Sequence, residues 1–282
     1  MFKRTIHERL EAWMLAKDRK PLVLRGARQV GKTVAVKMFG ERFDRFICMN
    51  LDLTEDADLF RRNLNVKDLY QAILLKQRVG STEGKTLLFL DEIQNCPEAV
   101  NYLRYFYEML PHIHVIAAGS LLEIALQEHH IEFPVGRVEH LFMYPLSFRE
   151  FLVAMDAAPV VAAYETVPVA SFACPALFEH FHRYALIGGM PEVVARYVKK
   201  QEVAALKPVY DSLATSYLDD AAKYARNSSM AAILRHCIES APLIAGQRIK
   251  FAGFGSSNYG SREVGEAPVS YTHLTLPTKR IV

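Results

Sequence analysis

Cysteine is scarce in this sequence and nowhere paired. Cys48, Cys96, Cys174 and Cys237 are the four in 282 residues, and no two of them stand at C-x-x-C spacing. Isolated thiols provide neither a zinc site nor a disulfide framework. Long apolar runs are missing too. The best candidate, residues 115–126, is broken by Gly119, Ser120 and Glu123, short of the roughly 18 apolar residues that a membrane span needs. Residues 1–9 are charged throughout and lack an apolar core, so no secretory signal is expected there. A cytoplasmic protein with no membrane partner is the expectation. Nor does one sign of charge dominate: 34 basic residues face 31 acidic ones, a formal net charge of +3.

The last stretch needs separate treatment. Val269-Ser270-Tyr271-Thr272-His273-Leu274-Thr275-Leu276-Pro277-Thr278 matches a translated sequencing-library adapter, the transposase end sequence read through in frame. We expect residues 269–282 to be non-native and the natural chain to continue beyond Ala267. Lys279 and Arg280 belong to that tail, and without them the net charge falls from +3 to +1 (3 − 2 = 1). So small an excess gives no support to a nucleic-acid partner.

What is present begins with Leu22-Val23-Leu24-Arg25-Gly26-Ala27-Arg28-Gln29-Val30-Gly31-Lys32-Thr33. A short apolar run ends in Gly-x-x-x-x-Gly-Lys-Thr and leads into a helix-compatible segment from Val34. This is the phosphate-binding loop pattern in its required strand–loop–helix setting. A polyphosphate carries several charges and needs many donors at close range. Gly26 and Gly31 let the backbone turn tightly and approach without a Cβ clash. The N–H groups of Ala27, Arg28, Gln29, Val30 and Val34, with the positive end of the following helix, then face the phosphates. Lys32 adds a mobile cation, and Thr33 offers a hydroxyl to Mg²⁺.

The second motif is Leu87-Leu88-Phe89-Leu90-Asp91-Glu92, a buried strand ending in two acids. In open parallel sheets, ligands sit at the carboxyl ends of strands. There Asp91 would hold Mg²⁺ and Glu92 would polarise a water for attack on the γ-phosphate. A small-molecule kinase has no need of the second acid, so Glu92 favours hydrolysis. No Asn-Lys-x-Asp stretch follows, so ATP is preferred to GTP.

Around these motifs the chain reads as alternating strands and helices. Helices are expected at 5–16, 68–78 and 98–110, and strands at 22–25, 46–51, 86–90, 114–118 and 138–143, with a short helix after Ser120. Alternation of this kind implies an α/β fold with a parallel sheet covered on both faces. After Pro145 the character becomes mostly helical: 147–155, then an Ala/Val/Pro-rich linker to Pro175, then segments near 176–187, 191–206, 209–224 and 230–240. The expected division is a core of residues 1–155, a helical C-terminal domain of 156–268, and the tail.

With those residues in view, the chain resembles the bacterial and archaeal ATPases of the AAA-like branch that carry a C-terminal domain of unknown function. The resemblance rests on residues 24–33, on Leu88-Phe89-Leu90-Asp91-Glu92-Ile93-Gln94 and on Ala118-Gly119-Ser120. It extends through Gly136-Arg137, residues 144–151 and Gly188-Gly189-Met190-Pro191-Glu192. Val34 departs from the family's more frequent Thr or Ser. The resemblance implies ATP and Mg²⁺ as ligands and two further site residues. Ser120, just past an apolar strand, is where such ATPases place a polar group near the γ-phosphate; capping the next helix is the alternative. Arg137 is a candidate arginine sensor or finger, in its own subunit or a neighbouring one, or an exposed loop arginine. Arg28 and Gln29 would touch phosphate or a neighbouring subunit.

Three functional classes follow. The first is an ATPase driving a conformational or partner-directed process, with a protein partner or self-association. The second is a nucleotide-gated switch or adaptor with negligible turnover. The third, a DNA-associated regulator, rests on the likeness of Ser261-Arg262-Glu263-Val264-Gly265-Glu266-Ala267 to the start of a recognition helix. The histidine pairs (His112 and His114, His129 and His130, His180 and His182) lack acid or cysteine partners at ligand spacing, so no metal site is expected from them. Gly188-Gly189-Met190-Pro191 reads as a helix stop and a proline-initiated restart.

Overall fold

The computed structural model describes residues 2–78, 80, 84–120, 133–134, 136–225, 227–244 and 247–265. The short helix expected after Ser120, His129 and His130, and the adapter-like tail lie outside the described residues.

Five strands make one sheet: β1 (Leu22–Arg25), β2 (Arg45–Asn50), β3 (Thr86–Asp91), β4 (Ile113–Ala118) and β5 (Glu139–Phe142). They lie in the order β2-β3-β4-β1-β5, and every pair is parallel. This is the expected α/β architecture. β3 and β4 are buried along their whole length, which is why they read as unbroken apolar runs rather than alternating ones.

Alternation along the strands selects the covering helices. Leu88 and Leu90, with Ile47, Met49, Val115 and Ala117, face one core cluster. That cluster is completed by α3 (Thr54–Arg61), α4 (Val66–Lys76) and α5 (Pro97–Met109), through Phe60, Leu69, Ile73, Leu103 and Phe106. Each such side chain, fully buried, stabilises the fold by about 1.5–3 kcal/mol. Leu87, Phe89 and Asp91 point the other way. On that side are α1 (Ile6–Leu15) and α2 (Lys32–Gly40). Trp13 of α1 and Phe43, just past α2, meet the ring of His114 edge-on at 5.8 and 4.9 Å. Among the described residues no group of three or more His, Cys, Asp or Glu side chains converges as a metal site, and His114 is a member of an aromatic core.

The helix starts are written locally. Asn65 caps α4 by accepting from Lys67 and Asp68 N–H groups, and Pro97 opens α5. Ser147 and Glu150 form a capping box at α6 (Phe148–Ala154). Two elements differ from expectation. α3 carries no clear helical signal in the sequence, because its buried face is only Asp56, Ala57, Leu59 and Phe60. Part of the expected linker is a helix, α7 (Ala158–Glu165), started by Pro159 and anchored by Arg149–Glu165 and by Tyr164 packed edge-on against Phe148. Ala/Val/Pro content concealed it, since none of its own residues is buried.

The chain divides into two compact units, one ending at Pro191 and one beginning at Glu192. α6, α7 and α8 (Cys174–Ile187) belong to the first. They are tied back there by Tyr184 Oη donating to Leu146 O at 2.7 Å and Leu146 N donating to Gly189 O at 2.6 Å. The second unit is helical: most of α9 (Pro191–Lys200), then α10 (Lys207–Tyr224) and α11 (Ser228–Ser240). No helix among the described residues is long and apolar enough to cross a membrane.

Candidate functional site

Parallel register brings the carboxyl ends of four strands to one edge. Leu24 of β1 pairs with Ala118 of β4 on one side and Leu141 of β5 on the other. Leu90 of β3 pairs with Ala117 of β4. The loop leaving β1, the Asp91-Glu92 pair leaving β3 and the Gly119-Ser120 pair leaving β4 therefore share one crevice, with β4 between the other two strands.

The loop itself has the expected backbone. Gly26 has φ +152° and Gly31 φ +94°, and Gln29 sits at φ +63°. Gly26 is there for a second reason: a Cβ at that position would lie 2.2 Å from Met143 O. Met143 N in turn donates to Arg25 O at 2.8 Å, so the backbone after β5 presses directly on the loop's first glycine. Gly31, as N-cap, opens α2, and Lys32 and Thr33 are its first two residues.

Lys32 is buried, and its Nζ donates to Gly26 O at 2.9 Å and Ala27 O at 2.8 Å. The ammonium thus sits inside the ring of its own loop, held by the carbonyls of the turn. Burial pushes its pKa down to about 8, against the opposing pull of Glu92 and Asp91 and with Arg28 adding to the lowering. Thr33 Oγ1 donates to Asp91 Oδ2 at 2.8 Å. The other Asp91 oxygen accepts the N–H of Glu92 at 3.1 Å. Burial raises the Asp91 pKa, and the Thr33 hydroxyl works against that shift. A hydroxyl and a carboxylate at this separation are the hard oxygen donors that Mg²⁺ takes alongside phosphate and water, so the residues present fit that ion.

Glu92 adopts φ 52°, ψ 44°, left-handed backbone that a non-glycine residue rarely holds. Its carboxylate accepts from Gln94 Nε2 at 2.5 Å. Ser120 is buried at the end of β4. Lys32, Thr33, Asp91, Glu92 and Ser120 are thus brought to one edge of the sheet.

Arg137 is not among them. It precedes β5, whose first residue Glu139 pairs with Leu22 at the start of β1, so it lies at the opposite edge. The intervening strand spans about 13 Å at roughly 3.3 Å per residue. There Arg137 Nε donates to Glu108 Oε1 at 3.1 Å, a carboxylate shared with Arg104.

Sequence reasoning missed the groups that hold the loop from behind. Arg4 is buried; its Nη1 donates to Val30 O at 3.2 Å, its Nη2 to Tyr144 O at 2.7 Å and its Nε to Glu150 Oε1 at 3.0 Å. Glu150 also accepts from Thr5 N, Thr5 Oγ1 and Ser147 N. The capping-box spacing Ser147-x-x-Glu150 signalled a helix start, but nothing local to Arg4 signalled a partner 146 residues away. Gly188-Gly189-Met190-Pro191 also reaches this neighbourhood: a Cβ on Gly31 would lie 3.9 Å from Pro191 Cγ and 3.7 Å from Met143 Cε.

A parallel sheet with a glycine loop and helix after its first strand, and an Asp-Glu pair across from it, defines a P-loop NTPase-like α/β domain. Residues 18–152 match the family model of an AAA domain, and residues 178–264 that of a domain of unknown function, DUF8612. The two matches, in that order along the chain, are consistent with an AAA-like P-loop ATPase that carries a C-terminal domain of unknown function. Among solved structures it is similar to the Walker-type ATPase PABY2304 of Pyrococcus abyssi, at 16% identity and a TM-score of 0.54, covering 97% of this chain and 89% of that one. PCH-2 of C. elegans is also matched, at 12% identity and a TM-score of 0.41, over 74% of this chain and 67% of that one. No curated protein matches the chain.

Proposed function

We propose that the protein binds ATP with Mg²⁺ on the loop of residues 26–33 and hydrolyses the γ-phosphate to drive a conformational or partner-directed process. The observation that carries this reading is the contact of Thr33 Oγ1 with Asp91 Oδ2 beside the buried Lys32. It joins the end of one strand to the phosphate loop of another, and an Asp-Glu pair merely capping a helix would have no reason to make it.

The loop N–H groups and the start of α2 receive the phosphates. Lys32 leaves the Gly26 and Ala27 carbonyls for the β/γ oxygens and neutralises charge there. Thr33 and Asp91 hold the Mg²⁺, which when bound spreads the charge developing on the transferred group. Glu92 orients a water in line with the bond to be broken and accepts its proton as the oxygen attacks phosphorus, leaving ADP and phosphate. Ser120, at the neighbouring strand end, contacts the γ-phosphate. Arg28 and Gln29, inside the loop, contact phosphate or a neighbouring subunit. Arg137, paired with Glu108 at the opposite edge of the sheet, serves a neighbouring subunit's site rather than its own.

Phosphate release from ATP, followed with and without Mg²⁺, tests this. Wild type should turn over only with the metal, and Glu92→Gln should retain nucleotide while losing at least 100-fold in kcat. Undiminished hydrolysis by Glu92→Gln would overturn the assignment.

A further inference from the structure

We infer that Gln94 is a positioning residue for Glu92, fixing the carboxylate that orients the attacking water. The inference rests on the reading of Glu92 given under Proposed function. Gln94 lies one residue beyond Glu92's neighbour, in the single 3-10 turn Ile93–Asn95 between β3 and α5, and it is 6% exposed. Its Nε2 donates to Glu92 Oε2 at 2.5 Å. Its Oε1 is buried with no hydrogen-bond partner.

That asymmetry is informative. A buried amide oxygen without a donor is costly, and native proteins seldom tolerate one. A rotated amide would only turn that oxygen against an ionised carboxylate, where two acceptors repel. The orientation of Gln94 is therefore dictated by Glu92, and the side chain is kept for that contact rather than for packing, which a Leu or Met would serve without an orphaned atom.

The contact does two things for the proposed chemistry. It occupies Oε2, so that Oε1 of Glu92 is the oxygen left to accept a proton from water. It also fixes a side chain whose backbone is already held at φ 52° by Asn95 N donating to Glu92 O at 3.0 Å. A base presented in one geometry avoids the loss that small misplacements cause.

The test is a double-mutant cycle of Gln94→Met and Glu92→Gln, read by steady-state kcat, by ATP affinity and by thermal unfolding. Gln94→Met, nearly the same size and unable to donate, should lower kcat 10- to 100-fold. Its ATP dissociation constant should stay within threefold and its unfolding temperature should not fall. In the Glu92→Gln background the same change should reduce kcat less than twofold, because the group it positions is gone. Should Gln94→Met not fold, Gln94→Asn, one methylene too short for the carboxylate, gives the same readings. A kcat within twofold of wild type, equal losses in kcat and affinity, or effects that multiply in the double variant would each overturn the role of Gln94 alone. Full turnover by Glu92→Gln would instead overturn the reading of Glu92, and the role of Gln94 with it.

Discussion

Thr33 Oγ1 donates to Asp91 Oδ2 across 2.8 Å, although the two residues are 58 apart in the chain, one in the first turn of α2 and the other at the end of β3. The bond exists because β3 turns its odd-numbered side chains toward α2, and because the loop glycines let α2 start at Lys32. A threonine hydroxyl there completes a buried carboxylate, and the same two oxygens are the ones the proposed Mg²⁺ would take.

Thr33→Val should therefore have two separable effects. Leaving Asp91 Oδ2 without its donor, the Glu92 N–H remaining on Oδ1, should lower stability by about 1–3 kcal/mol, measured by urea unfolding in the absence of nucleotide. The Mg²⁺-dependent part of ATP affinity should fall by at least tenfold, while affinity measured in excess EDTA should change little. An equal loss with and without the metal would contradict the placement of Mg²⁺ at this pair.

Lys32 should make ATP binding pH-dependent. Its folded-state pKa of about 8 lies below the ordinary 10.5, so its buried charge opposes folding most fully below pH 8 and less as pH rises toward 10.5. A bound polyphosphate favours the charged form and raises that value. ATP affinity should be nearly constant below pH 8 and fall by up to about tenfold per pH unit above it, with proton uptake on binding. Calorimetry in two buffers of different ionisation heat measures that uptake, and a flat affinity from pH 7.5 to 9.5 would count against it.

Much of this was legible in the chain. Residues 26–33 and the apolar strand ending at Asp91-Glu92 carry their structure locally, through glycine freedom, side-chain period and charge placement, so the sheet and its functional edge follow. What was not legible depends on long-range closure. Arg4 gains its importance from carbonyls of Val30 and Tyr144 and from Glu150, none of which shares a pattern with it. Arg137 became a candidate through the family resemblance at Gly136-Arg137, and only the direction and register of β5 reveal that it lies at the edge opposite the loop. The backbone pressure of Met143 O on Gly26 has no side-chain signature at all.

Arg4 and Glu150 should behave as one unit. Arg4→Met leaves a buried carboxylate whose remaining donors are Thr5 and Ser147, and should cost about 3–5 kcal/mol. Arg4→Met with Glu150→Met together should recover a substantial part of that. The Val30 carbonyl loses its donor in both, so ATP affinity should weaken in both. A double variant no more stable than Arg4→Met would contradict the coupling. Burial raises the Glu150 pKa, but the Ser147 N–H, the Arg4 charge and the Thr5 N–H outweigh it, and the net shift is downward. The pair's stabilisation is therefore present above the ordinary carboxylate range and lost as pH falls through it.

His114 supplies a second, distinct acid transition. Burial pushes its pKa down from 6.5 to about 4, with Arg19 adding to the shift. The unfolded chain binds a proton there that the folded chain refuses, so stability should be full above pH 6.5 and decline between 6.5 and 4. His114→Phe, packed against Trp13 and Phe43, should flatten urea midpoints between pH 7 and 5, whereas an unchanged slope would show that His114 is not the group responsible.

The most direct measurement is a titration of Mg²⁺-ATP at pH 7 into wild type, Lys32→Ala and Glu92→Gln. A phosphate cradle at residues 26–33 predicts saturable binding by wild type and Glu92→Gln, at least a 100-fold loss of affinity in Lys32→Ala, and conversion to ADP at least 100-fold slower in Glu92→Gln than in wild type. Equal affinity in wild type and Lys32→Ala would contradict it.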